Sequence, residues 1–395
     1  MIRADDPGHP ESVLAALHRA GFQDTRFAGV HSGDDWTLVN AGVISRMLGC
    51  GGIDPITALH FRDKALQKQK IRDAGISTAS SIVIDDIHDV GDLEDFDFKR
   101  SVLKPISFGG TGYTSTVTNF ESLSAVSRRM QARNISRRTF MLEEFMEGDE
   151  WVADGVVYDG ELLFFALGKY GEPCLSALTE QRAVWVRRFD PGAEAWAYEA
   201  AEPVIRSALS ALGLSRGVFH MELFRDPVSG TVSFGECAAR RGGGLAQETV
   251  HLKFGVDLAE SGVLCALGRR PDLRVEVRPE TIAHTHLLGR PGTLISYPSV
   301  SEMIQLPYVE YARYEHPLGS MLPESVEFVG QSLGLAVVKA DSTDELESRV
   351  HELHQWVDER LVIAPSNMTF RENREWFEQR WPEHAKLGGS VYDPL

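Results

Sequence analysis

The sequence predicts an α/β fold, of the α+β kind, with a partly antiparallel sheet. The first supporting observation is a pair of apolar runs at 151–157 and 161–167 around Asp159-Gly160, a dipeptide typical of a two-residue hairpin turn. The second is a similar pair, 218–224 and 231–237, joined by turn residues. Since hairpins connect neighbouring antiparallel strands, helices mixed with these hairpins indicate a mixed fold.

The remaining elements follow from the spacing of apolar residues and from turn residues. Helices are predicted where apolar residues recur at helical spacing, at 12–20, 36–48, 62–74, 121–133 and from Ser342 onward. Short strands are predicted where apolar runs are bounded by turn residues, at 82–84, 100–104, 140–142 and 335–339. The first three helices each end at a glycine, and Glu345 is placed to form a capping box with Ser342.

Composition limits the kinds of protein that this chain can be. Its 395 residues suffice for two or three domains, with boundaries predicted near residue 60 and within 268–279. The net charge of -17 disfavours a nucleic acid partner. The four cysteines form no C-x-x-C pair, and neither a signal sequence nor a membrane-spanning apolar stretch is found. We expect a cytoplasmic protein without membrane contact.

Two lysines are candidates for binding phosphate. Lys104 ends an apolar strand and is followed by a glycine loop that contains Gly109, Gly110 and Thr111. Glycines let backbone N–H groups approach a phosphate, although a flexible turn would have the same composition. The loop has neither the Walker A ending nor the Rossmann glycine spacing. Lys64 lies in the first turn of a helix, and Lys68, one turn later on the same face, competes for the same role.

The segment around residues 141–150 is a candidate for nucleotide binding. Its apolar character is interrupted only by Glu143 and Glu144, before Phe145 and Met146. Such a segment offers backbone groups to an adenine edge. Glu150 follows a glycine turn, and its carboxylate can accept both ribose hydroxyls. The alternative is an acidic cluster on the surface.

Strand parity predicts a metal site on the second hairpin. Alternate residues of 218–224 are apolar, which places Glu222 on the opposite face. If Arg225 pairs with Thr231, then Glu236 lies diagonal to Glu222 on that face, with Cα atoms roughly 7–8 Å apart. Two carboxylates so placed repel one another unless a cation lies between them, and Mg²⁺ suits carboxylates combined with nucleotide phosphates. The alternative is a pair of solvated acids on an exposed sheet face.

The same parity places Phe224 and Phe234 on the face that carries Glu222. Aromatic side chains there favour a cleft over an open surface. Beyond the hairpin, Arg240 and Arg241 precede a glycine run that includes Gly243. An arginine beside glycines can hold a carboxylate or an acyl phosphate, and a mobile basic loop is the alternative.

Taken in order, these motifs resemble the ATP-grasp superfamily, and specifically carboxylate–amine ligases of the L-amino acid ligase type. The match runs over about 63–268. The resemblance implies that Lys64 and Lys104 bind phosphates and that the 143–146 segment and Glu150 bind adenosine. It further implies that Glu222 and Glu236 bind metal, that Arg240 stabilises an acyl phosphate as a catalytic residue together with Lys104, and that Arg241 and Gly243 contact substrate.

The resemblance also implies a domain plan and a reaction. The plan is a short N-terminal α/β domain at 1–62, an ATP-grasp domain at 63–270 with an antiparallel sheet and a lid at about 77–142, and a small C-terminal domain at 271–395. ATP and Mg²⁺, or Mn²⁺ in its place, would support amide formation between a carboxylate and an amine, with amino acids as substrates. A homodimer is the family expectation.

Two features depart from the family pattern. Many members have asparagine two residues after the second metal glutamate, where this chain has Ala238. Only 62 residues precede Asp63, which is short for the usual N-terminal domain. A non-catalytic ATP-binding protein therefore stays open as an alternative. A biotin-carboxylase-like enzyme is disfavoured because its Q-V-E-H run is replaced by Arg241 and three glycines.

Overall fold

The computed structural model describes residues 1–93, 96, 98–324, 328–365, 368, 371, 372, 375, 376 and 379. Helices within these ranges are α1 (Pro10–Arg19), α2 (Leu38–Leu48), α3 (Pro55–Arg62), α4 (Lys64–Asp73), α5 (Phe120–Ala132), α6 (Cys174–Thr179), α7 (Ala195–Leu212), α8 (Ala246–Phe254), α9 (Leu258–Ala266), α10 (Val300–Ile304) and α11 (Thr343–Arg360). None of the helices in the described part of the chain has both the length and the apolar character needed to cross a membrane.

The strands form three sheets. They are β1 (Ser81–Ile84), β2 (Ser101–Pro105), β3 (Ser115–Val117), β4 (Phe140–Glu144), β5 (Asp149–Tyr158), β6 (Glu161–Tyr170), β7 (Trp185–Arg188), β8 (Arg216–Arg225), β9 (Val232–Ala238), β10 (Thr281–Leu287), β11 (Gly292–Ser296), β12 (Val309–Tyr314), β13 (Met321–Leu322), β14 (Gly334–Ala340) and β15 (Val362–Ala364). The sheet orders are β1-β4-β2-β3, β12-β14-β10-β7-β6-β5-β8-β9 and β13-β11-β15. The mixed α/β prediction is therefore confirmed, and the paired strands in all three sheets are antiparallel.

The eight-stranded sheet has helices on both faces. One face packs against α3, α4 and α7 through a core that contains Trp151, Phe219, Met221, Leu223 and Phe234. Part of the other face packs against α8 and α9, and part of it borders the four-stranded sheet. The smaller sheet has a separate core beneath α5. The two sheets meet near residue 78, where the hydroxyl of Thr78 donates to the carbonyl of Phe234 at 2.8 Å. A cavity lies between them.

The first hairpin forms as predicted. β5 and β6 pair across Asp159 and Gly160, whose φ angles of 51° and 78° are the left-handed values that a type I′ turn requires. Ser342 caps α11 by accepting from the N–H of Glu345, but the Glu345 side chain accepts from Asp341 rather than closing the predicted capping box.

Several elements were not predicted, and two of them have local reasons. Helix α7 contains Pro203, a residue that normally ends a helix. Strand β10 carries His284, Thr285 and His286, so its sequence lacks an apolar run.

The predicted boundary near residue 270 does not separate two sheets. Strands β10, β12 and β14 come from the predicted C-terminal domain, yet they extend the same sheet as β5 to β9. The physical reason is that β10 completes backbone hydrogen bonding along the edge of β7. The division into domains stays a prediction, and its last range, 271–395, ends in residues 380–395, which lie outside the described part of the chain.

Candidate active site

One cavity brings together almost all of the predicted site residues. It is bounded by β2 and β4 of the small sheet and by β5, β8 and β9 of the large sheet. The predicted residues that line it are Lys64, Lys104, Gly109, Gly110, Thr111, Glu143, Glu144, Phe145, Met146, Glu150, Glu222, Glu236, Arg240 and Gly243. Arg241 is exposed and lies outside this lining, since its neighbour Arg240 points inward and consecutive residues diverge.

Lys64 and Lys104 meet at one carboxylate. The Nζ atom of Lys104 lies 2.7 Å from Glu143 and 3.4 Å from Glu236, and Nζ of Lys64 lies 3.3 Å from Glu236. Lys64 also donates to the carbonyl of Phe108 in the glycine loop at 2.9 Å. Burial alone would raise the pKa of Glu236, but the two lysines outweigh burial and lower that pKa to about 2. The site thus holds two cations close to an ionised glutamate.

Lys68 has a different environment from Lys64. It is fully buried, its Nζ lies 2.5 Å from Glu143, and it donates to the Thr78 hydroxyl at 2.8 Å. Burial lowers its pKa although Glu143 opposes that shift. Lys68 therefore fastens α4 to β4, whereas Lys64 faces the cavity. This packing separates two lysines that helical spacing alone left as rivals.

We expect Lys68→Met to reduce the stability of the protein and Lys64→Met to reduce its affinity for ATP. Lys68→Met leaves Glu143 with one cation and should lower the free energy of unfolding by about 2–3 kcal/mol, with ATP affinity largely kept. Lys64→Met should weaken ATP binding about 10- to 100-fold, because a charge-assisted contact to phosphate is lost, with little loss of stability. Urea denaturation and ATP titration on both variants check this. Similar ATP affinities in the two variants would contradict the assignment.

The two glutamates that were predicted to bind metal face each other directly, so the predicted diagonal placement was wrong. Strand β9 pairs Arg225 with Val232, and a bulge at Gly235 then brings Glu236 opposite Glu222. A Cβ at Gly235 would lie 2.8 Å from the carbonyl oxygen of Glu222, so glycine permits this close approach. Because Arg225 pairs with Val232 and not with Thr231, Phe234 lies opposite Leu223 and in the core, and not on the face that carries Glu222.

The geometry of this pair favours a bound cation. Burial, together with the charge of Glu236 and then of Glu150, raises the pKa of Glu222 to about 8. Within the described ranges, no lysine or arginine forms an ion pair with Glu222. A divalent cation between the two carboxylates would relieve their repulsion. No cluster of three or more metal-ligating side chains occurs in the same ranges, so substrate phosphates would have to supply further ligands.

The predicted adenine segment lines the cavity, and some of its backbone N–H groups already donate hydrogen bonds within the protein. The N–H groups of Glu144 and Phe145 donate to the carbonyls of Ser80 and Arg100, both at 2.9 Å. The Arg100 guanidinium stacks on the Phe145 ring at 3.6 Å from its centroid. Met146 is then the next donor along the segment. The Glu143 carboxylate forms ion pairs with Lys68 and Lys104, so its side chain is used to hold these lysines and not to contact adenine.

Glu150 stands beside this segment on β5. One of its carboxylate oxygens accepts from the N–H of Cys174 at 2.8 Å. Burial, opposed by that hydrogen bond and reinforced by the charge of Glu236, raises the pKa of Glu150 to about 7. Glu150 is buried at the cavity wall, and one backbone N–H group orients its carboxylate. This arrangement suits a carboxylate that accepts hydrogen bonds from ribose hydroxyl groups.

Arg240 has a partner that sequence reasoning missed. Its Nη2 lies 2.5 Å from Oδ2 of Asp35, which also lines the cavity. The next residue, Trp36, meets the ring of Phe108 in the glycine loop edge-on at 5.0 Å between centroids. The N-terminal segment therefore contacts both the arginine and the glycine loop. No local signal marks Asp35, because its partner is 205 residues away.

A second missed group lies on the floor of the cavity. Arg188 and Asp154 are fully buried and 2.7 Å apart, and Asp154 also lies 2.8 Å from Nδ1 of His220. Burial alone would raise the pKa of Asp154, but His220 and Arg188 hold it well below its usual range. The sequence did contain a sign of this buried ion pair, because Asp154 is a charged residue within the otherwise apolar run 151–157.

Comparisons with known proteins agree with this arrangement. No protein-family model matches the chain. It is 25% identical over 284 residues to an L-arginine-specific L-amino acid ligase from Bacillus subtilis, covering 71% of this chain and 67% of that protein. It is 33% identical over 149 residues to carnosine synthase 1 from Homo sapiens, covering 38% of this chain and 17% of that protein.

The fold comparison is consistent with these sequence matches. The crystal structure of an L-amino acid ligase from Bacillus licheniformis matches with a TM-score of 0.73 and 21% identity, over 91% of this chain and 86% of that chain. The chain has the ATP-grasp fold. Within the ATP-grasp proteins it resembles the L-amino acid ligases, which confirms the predicted fold and the predicted class of ATP-dependent carboxylate–amine ligase.

Proposed function

We propose that this ATP-grasp ligase activates the carboxyl group of an amino acid with ATP and passes it to an amine, forming an amide. The observation that carries the proposal is the convergence of two lysines, two facing glutamates and Arg240 in one cavity between two sheets. These groups suit a reaction in which negative charge on phosphate must be held and neutralised.

In the first step a carboxylate oxygen of the substrate attacks the γ-phosphorus of ATP. The bond from that phosphorus to the bridging oxygen breaks, ADP leaves with the electron pair, and an acyl phosphate results. Lys64 and Lys104 would hold the phosphates, since both ammonium groups already lie against Glu236. Gly109, Gly110 and Thr111 would cover them, and the left-handed φ angles of 64° and 62° at Gly110 and Thr111 shape this turn.

Glu222 and Glu236 would hold Mg²⁺, or Mn²⁺ in its place. The fit rests on their direct cross-strand pairing and on the raised pKa of Glu222. Both indicate repulsion between the two carboxylates, which a bound cation would relieve. When bound, the ion would neutralise phosphate charge. Ala238, in the position of the asparagine of many family members, provides no ligand side chain.

In the second step the amine attacks the acyl carbon. The C–N bond forms, the bond to the phosphate oxygen breaks, inorganic phosphate leaves, and the nitrogen releases one proton. Arg240 would stabilise the acyl phosphate, which requires its guanidinium to turn from Asp35 toward the substrate or to serve both. Glu150 and the 143–146 segment, which line the same cavity, would hold ribose and adenine.

Amino acids are proposed as substrates because the relatives with similar sequences are named for ligating them. The L-arginine specificity in the name of one relative is a property of that protein. A cytoplasmic location, a homodimer and the contacts of Gly243 and Arg241 to substrate stay predictions. For Arg241 the exposed position argues against a direct contact.

The test is ADP release from MgATP by the purified full chain across a panel of amino acids, singly and in pairs, with amide products identified by mass. Release that needs a carboxylate and yields an amide would support the proposal. Hydroxamate trapping detects an acyl phosphate when the amine acceptor is missing. ATP binding without release or trapping in any mixture would favour a non-catalytic ATP-binding protein, and biotin-dependent release with bicarbonate would favour a carboxylase.

A further inference from the structure

One region of the cavity has no assigned role. We call it the imidazole chamber; it is lined by Val184, Val186, His284, His286 and Gly244. The two histidines are two residues apart on β10, so their side chains share the face that borders the cavity. Their ring centroids are 6.3 Å apart.

The charged groups beside the chamber are already paired. Arg188 donates to Asp154 at 2.7 Å and to the Thr249 hydroxyl at 3.0 Å, and Asp154 also binds His220. Arg188 and Asp154 have no exposed side-chain surface. Outside the proposed metal and nucleotide groups, the described residues therefore offer this chamber no unpaired charge for a ligand of opposite sign.

The two imidazoles are neutral near neutral pH. Burial, reinforced by the charge of Arg188, lowers the pKa of His284 well below its usual value, and burial lowers that of His286 to about 4. A neutral imidazole offers one donor and one acceptor. Nδ1 of His286 lies 3.1 Å from the Ser332 hydroxyl, whereas the buried Nδ1 of His284 has no hydrogen-bond partner within the described part of the chain.

Gly244 keeps the imidazoles accessible. It has a left-handed φ of 59°, and a Cβ at this position would lie 3.3 Å from Nε2 of His286 and 3.4 Å from Nε2 of His284. A side chain there would cover both nitrogen atoms. Gly244 belongs to the same loop as Arg240, so a substrate whose carboxyl group reaches Arg240 lies next to the chamber.

We propose that the imidazole chamber receives the side chain of the activated amino acid and selects uncharged side chains over basic and acidic ones. The proposal rests on the ligase function proposed above. The valines provide apolar contact and the imidazoles provide neutral hydrogen-bonding groups. A lysine, arginine, aspartate or glutamate side chain would lose its hydration without gaining an opposite charge, which is unfavourable.

The first test compares amino acids as the activated substrate with one fixed amine in excess. Leucine, methionine, phenylalanine and glutamine represent uncharged side chains; arginine, lysine, aspartate and glutamate represent charged ones. We expect kcat/KM for the best uncharged acid to exceed that of every charged acid by about 100-fold or more. Amide formation with a charged acid at equal efficiency would overturn the chamber proposal and leave the ligase function intact. Failure with every acid would overturn both.

The second test uses Gly244→Ala with Gly160→Ala as the matched control. Both positions are left-handed, with φ of 59° and 78°, so the backbone strain is similar, but nothing lies within 4 Å of a Cβ at Gly160. Gly244→Ala should raise KM about tenfold for the largest accepted side chain and change KM for glycine or alanine little, at nearly constant ATP affinity. Gly160→Ala should leave every KM unchanged. An equal change for all acids, or none, would overturn the proposal.

Discussion

Glu236→Gln is expected to lower the rate of ADP formation by about 10³-fold, because the metal ion proposed to bind here would contribute several kcal/mol to stabilising the transition state. Glu236 opposes Glu222 across the hairpin and also binds Lys64 and Lys104, so the change removes the charge that organises both cations. The amide keeps the shape of the side chain. Single-turnover formation of ADP at saturating MgATP measures the chemical step.

The matched control is Glu199→Gln, which removes one negative charge from the exposed surface of α7 and lies outside the cavity lining. It should retain the wild-type rate, so that net charge is excluded as the cause. Raising the Mg²⁺ or Mn²⁺ concentration should recover part of the activity of Glu236→Gln if metal affinity is the main loss. A Glu236→Gln rate within about threefold of wild type would contradict the metal assignment.

Asp154→Leu is expected to lower the free energy of unfolding by about 3–5 kcal/mol, because it leaves the guanidinium of Arg188 buried without its carboxylate. Total stabilities are about 5–15 kcal/mol, so this is a large fraction. Both side chains are fully buried and 2.7 Å apart. Urea denaturation with matched circular dichroism and fluorescence measures the loss.

The double variant Asp154→Leu with Arg188→Met provides the control. Replacing both charges with apolar groups should recover much of the loss, since a buried pair is close to neutral relative to well-packed apolar residues. His220 would keep its place on β8 in both variants. Losses that simply add in the double variant would show that the pair is not coupled and would contradict the explanation.

Asp154 and its other partner, His220, give stability a pH dependence with a defined sign. Asp154 has a folded pKa below its ordinary value of 3.8, so its contribution to stability is present above that value and is lost as pH falls through the folded pKa. His220 has a folded pKa above 6.5, mainly because Asp154 outweighs burial, so its contribution is present below 6.5 and is lost as pH rises through the folded pKa. Asp154→Leu should remove both dependences.

Much of the site could be predicted because its signals are local. Lys104 before a glycine loop, Glu222 on the polar face of an apolar strand, and Asp159-Gly160 between two apolar runs each require only neighbouring residues. The predictions of strand pairing were wrong where a shift of one residue changes which side chains face each other along the hairpin. A register shifted by one residue at the turn places Phe234 in the core, and a bulge at Gly235 then makes Glu236 a direct partner of Glu222. A glycine inside a strand is itself a sign of a bulge, and could have been used.

The sequence by itself determined the order of the chemical groups along the chain, the alternation that separates the polar face of β8 from its apolar face, and the resemblance to ATP-grasp ligases. Only the tertiary structure decided which lysine faces the cavity, that Asp35 reaches Arg240, and that His284 and His286 border the same cavity as Glu222. The physical reason is that helical and strand periodicity act over a few residues. Partners such as Asp35 and Arg240 are brought together by strand order and packing, which depend on the whole chain.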